Sequence, residues 1–128
     1  MKEKALIQAA AEARKQAYAP YSGFKVGAAL LTADQKIYVG CNMENAAYSP
    51  SLCAERAAFA AAIGAGERAF STIAIIAGEK DYCVPCGVCR QVMAEFCEED
   101  FLIIAAKTEE DYRKYRLKEL IPHSFCLE

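Results

Sequence analysis

The sequence has no large excess of charge and no long apolar run. Its net charge is −2, so it has no basic field with which to hold a phosphate backbone, and a polynucleotide partner is not expected. No apolar run approaches the ~18 residues that a membrane-spanning helix needs. The N-terminal residues 1–8 mix charges and lack the apolar stretch of a secretion signal. We therefore expect a soluble, cytoplasmic protein with no membrane partner.

Disulfide bonds are not expected either. The seven cysteines are an odd number that cannot all pair within the chain, and 128 residues are enough to fold without such links. The composition is 55% apolar, which is ample for one buried core. We expect a single domain over residues 1–128, with reduced thiols, some of them bound to metal.

Hydrophobic periodicity predicts an α/β fold. The predicted elements are a helix at 3–18, strands at 26–31 and 37–41, a helix at 54–62, a strand at 72–77, a helix starting at Cys86, and strands at 101–106 and 112–117. The strands at 72–77 and 101–106 are apolar on both faces, which is typical of a sheet covered by helices on each side. We expect a three-layer α/β/α sandwich around a mixed, roughly five-stranded sheet, followed by an irregular tail from Leu120.

Three cysteines in two separate segments form the pattern of a metal site. Cys53 is followed two residues later by Glu55, while Cys86 and Cys89 form a C-x-x-C motif after a proline. Three thiolates leave the fourth position of a tetrahedral zinc ion open, and an open position is typical of catalytic rather than structural zinc. Two helices are predicted to begin at these cysteines, and the amides at a helix N-terminus favour the thiolate form.

Glu55 and Arg56 have separate expected roles beside the cysteines. A side chain two residues along a helix from Cys53 points away from it, so Glu55 is a poor fourth ligand. From the first turn, however, it reaches the open face of the metal, where a proton carrier is needed. Three thiolates and Zn²⁺ sum to a negative charge, and we expect Arg56 to hydrogen-bond the sulfurs and tune the metal by offsetting it.

The residues alone leave other interpretations open. Cysteines often serve as small buried hydrophobic residues, and a C-x-x-C motif also occurs in redox dithiols. The redox interpretation leaves Cys53 and Glu55 unexplained. A structural, non-catalytic zinc module would need a fourth ligand, for which the candidates are Cys83, Cys41 and the single histidine, His123.

The chain resembles the zinc-dependent cytidine deaminase family, in particular its small, homotetrameric, three-cysteine type. Five blocks carry the resemblance in the family's order: residues 21–29, 40–46, 53–57, 85–91 and 120–125. The resemblance implies that Cys53, Cys86 and Cys89 bind one Zn²⁺ ion per chain together with a water molecule. It also implies that Glu55 is the catalytic residue, carrying protons between water and substrate.

The resemblance also implies how a nucleoside is bound. Asn42 and Glu44 would hold the ribose hydroxyls, Phe24 would stack on the pyrimidine, and the backbone around Ala54 and Cys86 would meet the polar groups of the base. From residue type alone, Asn42 and Glu44 are typical turn formers and Phe24 is a typical core aromatic, so only the resemblance supports these roles.

A homotetramer is the assembly that the resemblance implies, with each active site completed by neighbouring chains. Tyr48 and Phe125 would be the residues contributed across the interface. One segment departs from the family, which commonly has small polar residues and a proline before the P-C-x-x-C motif. This chain has Asp-Tyr-Cys-Val at 81–84, so the conformation of this loop and its contact with substrate are left open.

The implied activity is the hydrolytic deamination of free cytidine and deoxycytidine to uridine and deoxyuridine, with release of ammonia, in pyrimidine salvage. A zinc aminohydrolase acting on another amino-heterocycle, such as a nucleoside antibiotic, would use the same core. A polynucleotide editor is disfavoured by the acidic charge. A non-catalytic zinc module is the alternative from a different class, and it would give Glu55 no chemical role.

Overall fold

A computed structural model describes residues 2–127. The helices are α1 (Lys2–Arg14), α2 (Ala54–Gly64), α3 (Gly87–Phe96) and α4 (Leu117–Leu120), and the strands are β1 (Gly27–Thr32), β2 (Ile37–Cys41), β3 (Phe70–Ile76), β4 (Leu102–Ala106) and β5 (Tyr112–Arg116). Within residues 2–127, no helix combines the length and the apolar character needed to cross a membrane.

The five strands form one mixed sheet in the order β2-β1-β3-β4-β5. β1 runs antiparallel to both of its neighbours, so β2 and β3 run in the same direction, and β3 and β4 are parallel. β5 pairs antiparallel with β4 at the edge. The predicted hairpin, the parallel crossover through α3 and the position of the last strand are confirmed. Because α2 and α3 each follow the carboxyl end of a strand that runs in the same direction, both helices start at the same edge of the sheet.

Helices cover both faces of the sheet. On one face α1 buries Leu6, Ile7 and Ala10 against six buried residues of β1, β3 and β4, among them Ala29 and Ile104. The other face is covered by α2 and α3, and its buried side chains include Ala58, Phe59, Ile73, Met93 and Ile103. Burying one large apolar side chain contributes about 1.5–3 kcal/mol, so these two clusters hold the layers together. The expected three-layer α/β/α architecture is confirmed.

The first helix ends four residues earlier than predicted. After Arg14 the chain tightens into a turn in which the amides of Lys15, Gln16 and Ala17 each donate to the carbonyl three residues before. Tyr18 then leaves the helix axis, because its amide donates to the Asn42 carbonyl. The alanine-rich pattern continues past Arg14, but pairing of Tyr18 with a distant segment replaces helical hydrogen bonds there.

A short helix at Leu117–Leu120 was missed by the sequence analysis, which extended the last strand to Leu117 and treated the tail as irregular. Leu117 is buried, and its amide donates to the Phe101 carbonyl at 2.9 Å. The Glu119 carboxylate accepts from the Arg116 amide at 2.7 Å, half of a capping box. The other predicted boundaries differ from the structure by one or two residues, which is the usual variation at element ends.

Gly40 sets how closely α2 approaches the sheet. A Cβ atom added at this position of β2 would lie 2.5 Å from the Ala54 carbonyl oxygen and 2.5 Å from the Ala58 amide nitrogen. Both are backbone atoms of α2, so no side-chain rotation relieves the overlap. The absence of a side chain at Gly40 therefore allows the first turn of α2, which carries the candidate site residues, to lie directly on β2.

Gly40→Ala is expected to destabilise the fold by roughly 1–3 kcal/mol, because overpacking forces a backbone shift. Gly64→Ala is the matched control, since a Cβ there meets nothing within 4 Å and removing a helical glycine is neutral or stabilising. Denaturant unfolding of the two variants measures the difference. Equal stabilities would contradict the close approach of α2 to β2.

Candidate active site

The site lies where two helices begin at the same edge of the sheet. Cys53 is the N-cap of α2 and Cys86 is the N-cap of α3, as the sequence predicted. Neither cysteine uses its side chain to cap its helix, so both sulfurs are available to another partner. Cys89 follows in the first turn of α3 and is buried. The positive ends of two helix dipoles therefore lie beside the sulfurs and favour thiolates.

The three sulfurs are spaced as zinc ligands. The Cys53 and Cys86 sulfurs are 3.9 Å apart, those of Cys86 and Cys89 are 3.6 Å apart, and all three lie within 4.8 Å of one another. Two sulfurs that each bind a tetrahedral zinc at ~2.3 Å are separated by about 3.8 Å. A disulfide would instead bring two sulfurs to ~2.05 Å, and Cys53, Cys86 and Cys89 form no disulfide. The predicted convergence is confirmed, and the donor set fits zinc.

The electrostatics of the cluster separate its thiols. Hydrogen bonding from the Cys89 thiol, followed by that from the Arg56 guanidinium, lowers the pKa of Cys53 to about 5 against the opposing effect of burial. The same hydrogen bond to Cys53, together with burial, raises the pKa of Cys89. Arg56 donates from Nη2 to the Cys53 sulfur at 3.5 Å. Its Nε is buried and has no hydrogen-bond partner among residues 2–127, and the charge of Arg56 acts on the adjacent Glu55 carboxyl group as well as on the sulfurs.

Glu55 lies in the first turn of α2 and is 5% exposed. Burial is the main cause that raises the pKa of this carboxyl group to about 7, and the adjacent Cys53 adds to the effect. A buried carboxyl group costs free energy when it is charged, so protonated and ionised forms are close in free energy near neutral pH. That balance suits a group that both accepts and returns a proton.

A cavity of about 280 Å³ opens onto the cluster. The predicted site residues in its wall are Cys53, Cys86, Glu55, Arg56, Phe24, Asn42, Glu44 and Ala54. Cys89 is buried behind Cys86. The structure therefore places one buried carboxyl group, an arginine, two sulfurs and an exposed aromatic ring around one small space.

Asn42 and Glu44 hold the loop that carries Phe24. The side chain of Asn42 accepts a hydrogen bond from the backbone amide of Val26 through Oδ1 and donates one from Nδ2 to the Phe24 carbonyl, both at 2.8 Å. The Glu44 carboxylate accepts from the Ser22 hydroxyl and from two backbone amides, including that of Ser22 at 3.2 Å. These bonds lower the pKa of Glu44, chiefly through Ser22. The carboxylate therefore stays ionised in the cavity wall, and the ring of Phe24 is held over the opening.

Tyr48 and Phe125 do not line this cavity. Tyr48 is 78% exposed and Phe125 is 69% exposed. The backbone of Tyr48 is left-handed, with φ of 67°, and the Phe125 carbonyl accepts from Gln91 Nε2 at 3.0 Å. Both rings therefore project from the chain instead of packing in its core. Tyr48 lines a separate pocket together with Glu44, outside the cavity at the sulfur cluster.

Several residues of the cavity wall were given no role from the sequence, which left the substrate contact of residues 81–84 open. Met43, Cys83 and Val84 all line it, and Ser22 binds Glu44. Ser22 lies in one of the blocks that carry the family resemblance, so its position was a usable signal. The sulfur of Cys83 does not belong to the cluster of Cys53, Cys86 and Cys89, and burial raises the pKa of the Cys83 thiol to about 12. It therefore contributes a neutral thiol to the wall.

Comparison with known proteins agrees with this geometry. The family described as the cytidine and deoxycytidylate deaminase zinc-binding region matches residues 1–105. The chain belongs to the zinc-dependent cytidine deaminase family. A cytidine deaminase of Sporosarcina psychrophila is 46% identical over 123 residues, covering 96% of this chain and 90% of the relative. Another, of Halalkalibacterium halodurans, is 43% identical and covers 100% of this chain and 97% of the relative.

Solved structures of the family share the fold. The crystal structure of cytidine deaminase from Burkholderia pseudomallei superimposes with a TM-score of 0.92 at 45% identity, covering 98% of this chain and 100% of that one. The Mycobacterium tuberculosis cytidine deaminase gives a TM-score of 0.84 at 39% identity, with 96% of each chain covered. Family membership together with the sulfur cluster indicates that the chain is a zinc-dependent deaminase.

Zinc analysis of cysteine variants tests which sulfurs are ligands. Cys86→Ala and Cys89→Ala are each expected to lose most of their bound zinc, because two remaining thiolates bind the ion much less tightly than three. Cys83→Ala is the matched control, a buried neighbouring thiol that should keep the wild-type zinc content. Metal content of the purified proteins is the measurement. Zinc loss in the Cys83 variant, or retention in the other two, would contradict the assignment.

Proposed function

We propose that this chain hydrolyses free cytidine and deoxycytidine to uridine and deoxyuridine, releasing ammonia, as a step of pyrimidine salvage. The observation that carries the proposal is the placement of three zinc-spaced sulfurs and the buried Glu55 at one small cavity. The names of the relatives support cytidine as the substrate. The lining of the cavity includes one arginine, Arg56, which bonds the Cys53 sulfur, and no cationic groove among the described residues, so a free nucleoside fits better than a polymer.

Cys53, Cys86 and Cys89 would hold one zinc ion per chain and leave its fourth position to water. When bound, the ion supplies a Lewis acid that makes a water molecule acidic enough to lose a proton near neutral pH. Arg56 would offset the excess negative charge of three thiolates through its bond to the Cys53 sulfur. The helix N-termini at Cys53 and Cys86 act in the same direction.

Glu55 would move the protons of the reaction. Its carboxylate accepts a proton from water and delivers it to the ring nitrogen N3, which makes C4 more electrophilic. The water oxygen forms a bond to C4. Glu55 then takes the second proton from that oxygen and transfers it to the departing amine, as the C4–N4 bond breaks and the C4 carbonyl forms. Water is consumed and ammonia is released, so atoms and charge balance.

Phe24, Asn42 and Glu44 would orient the nucleoside. The exposed ring of Phe24 would stack on the pyrimidine, while the remaining hydrogen-bonding capacity of Asn42 and Glu44 would meet the ribose hydroxyls. The backbone around Ala54 and Cys86 would contact the polar edge of the base. These contacts direct C4 towards Glu55 and the sulfurs.

Neighbouring chains would complete the site in a homotetramer. Tyr48 and Phe125 are largely exposed in one chain, and large exposed aromatic side chains mark interaction surfaces. We propose that these two side chains enter the active site of an adjacent chain, where they would close the cavity over the substrate.

Glu55→Gln is expected to retain about one zinc per chain and to lose roughly 10²–10⁴-fold in kcat, the range expected for removal of a general acid–base group. Cytidine turnover, followed by the ultraviolet change or by ammonia release, is the measurement. Glu95→Gln, at an exposed position on α3, is the matched control and should behave as wild type. A zinc-loaded wild-type protein that leaves cytidine and deoxycytidine unchanged would refute the proposed function. Full activity in the Glu55 variant would refute its role.

Mixing two inactive variants tests whether the site is shared between chains. Phe125→Ala should lose substrate binding while remaining assembled, and Glu55→Gln should lose the chemical step. If Phe125 acts across an interface, subunits exchanged between the two variants create some sites that contain both native residues. Cytidine turnover should then reappear in the mixture, with the mass of the assembly checked by light scattering. A mixture that stays inactive despite subunit exchange would show that Phe125 acts within its own chain.

A further inference from the structure

The loop between β3 and α3 is weakly tied to the rest of the fold. None of the backbone hydrogen bonds that residues 2–127 form outside helices and strands involves residues 79–84. This is the segment in which the chain departs from its family. It leads through Pro85, whose carbonyl accepts from Arg90 Nε at 2.7 Å, directly into the ligand Cys86. The loop is therefore held firmly at its end but not along its length.

Cys83 packs against the hydrophobic core, and Tyr82 supplies the polar side-chain contacts that hold this loop. Its hydroxyl donates to Asp111 Oδ1 at 2.6 Å. The Lys107 ammonium lies 4.5 Å from the centre of its ring, and the Arg113 guanidinium carbon lies 4.3 Å from it. Cations at these distances are attracted by the face of an aromatic ring. One side chain therefore combines a charge-assisted hydrogen bond with two cation–π contacts.

The partners of Tyr82 belong to the β4–β5 hairpin: Arg113 lies in β5, and Lys107 and Asp111 lie in the turn between the strands. Arg113 pairs with Ala105 in the β4–β5 ladder. The turn between these strands is closed by a bond from the Lys107 amide to the Asp111 carbonyl at 2.9 Å. The Asp111 amide in turn donates to Thr108 Oγ1 at 3.0 Å. Tyr82 thus fastens a loop with few bonds of its own to a hairpin that is well supported.

The two residues after Tyr82 form a wall between two cavities. Cys83 and Val84 line the candidate active site and also line a neighbouring cavity of about 650 Å³, to which Tyr82 itself contributes. Phe24 is the other residue that we find in both linings. Movement of the loop would therefore open the smaller cavity towards the larger one and withdraw the surface that faces Phe24.

We propose that Tyr82 is a positioning residue that sets the width of the substrate cavity by holding the Cys83–Val84 wall against the heterocycle. The inference rests on the proposed function. It concerns the base rather than the sugar, because this wall lies within three residues of Cys86. The side-chain hydrogen bonds of Asn42 and Glu44, the proposed sugar ligands, go to residues 21–26 and not to this loop.

Steady-state kinetics on the zinc-loaded enzyme tests this role. Tyr82→Leu removes the hydrogen bond and both cation–π contacts, so KM for cytidine is expected to rise by about tenfold. Tyr82→Phe keeps the ring over the cations and should raise KM by only about two- to threefold. In both variants kcat should change by less than about twofold, because Glu55 and the sulfurs are untouched. The ratio of KM values for cytidine and deoxycytidine should stay at the wild-type value. The loss of kcat/KM relative to wild type should be smaller for 5-methylcytidine than for cytidine.

Tyr112→Phe is the matched control. Its hydroxyl donates to Glu3 at 3.0 Å, so it also forms a tyrosine–carboxylate bond. Tyr112 lies on the edge strand β5 and lines neither of the two cavities. Its KM should equal that of the wild type. An unchanged KM in Tyr82→Leu would overturn the proposal, and so would a higher KM accompanied by loss of zinc, which would mean that Tyr82 supports the metal ligands instead.

Limited trypsin digestion keeps the inference separate from the proposed function. Cleavage after the exposed Lys80 reports loop mobility without any substrate, and it should be faster in Tyr82→Leu than in wild type or Tyr112→Phe. Equal rates would overturn the anchoring role even if cytidine is turned over. Faster cleavage in a protein that turns over neither nucleoside would instead support the anchor and refute the proposed function.

Discussion

The mutual repulsion of three sulfurs is the constraint on which the rest of the site depends. Neighbouring sulfurs lie 3.6 and 3.9 Å apart, a separation that three thiolates do not tolerate without positive charge nearby. In this chain the positive charge comes from two helix N-termini, at Cys53 and Cys86, and from the guanidinium of Arg56. A bound zinc ion would add a divalent cation. Glu55 is buried beside this charge balance, so its carboxyl group responds to both burial and the adjacent thiolate.

The sheet order is what brings these charges together. β2 and β3 run in the same direction with β1 between them, and each leads from its carboxyl end into a helix that begins at a ligand. In α/β sheets such carboxyl ends form the usual binding edge. Gly40 lets α2 lie against β2 at backbone distance, and this contact sets where Cys53 and Glu55 lie relative to α3.

The walls of the cavity are less uniformly supported than its base. Asn42 bonds both the Phe24 carbonyl and the Val26 amide, so one wall is tied to the sheet through backbone groups. In the described part of the chain, residues 79–84 form no such backbone bond; Cys83 packs against the hydrophobic core, and the Tyr82 side chain joins this loop to the β4–β5 hairpin. Such a difference allows chains of one family to keep the same chemistry while they vary the shape of the space around the base, because loops tolerate change better than strands and helix starts.

Most elements and the grouping of Cys53, Cys86 and Cys89 were predictable from the sequence, because residue type, short spacing and hydrophobic period are local properties. Cys53 and Cys86 were expected at helix starts and are found there. The predicted end of α1 was wrong, because Tyr18 pairs with a segment about 25 residues away. The hydrogen bond from the Tyr82 hydroxyl to Asp111 could not be predicted either. Contacts between residues so distant in the chain form only when β3, β4 and β5 lie side by side. Strand order and register bring them there, and both are properties of the tertiary structure.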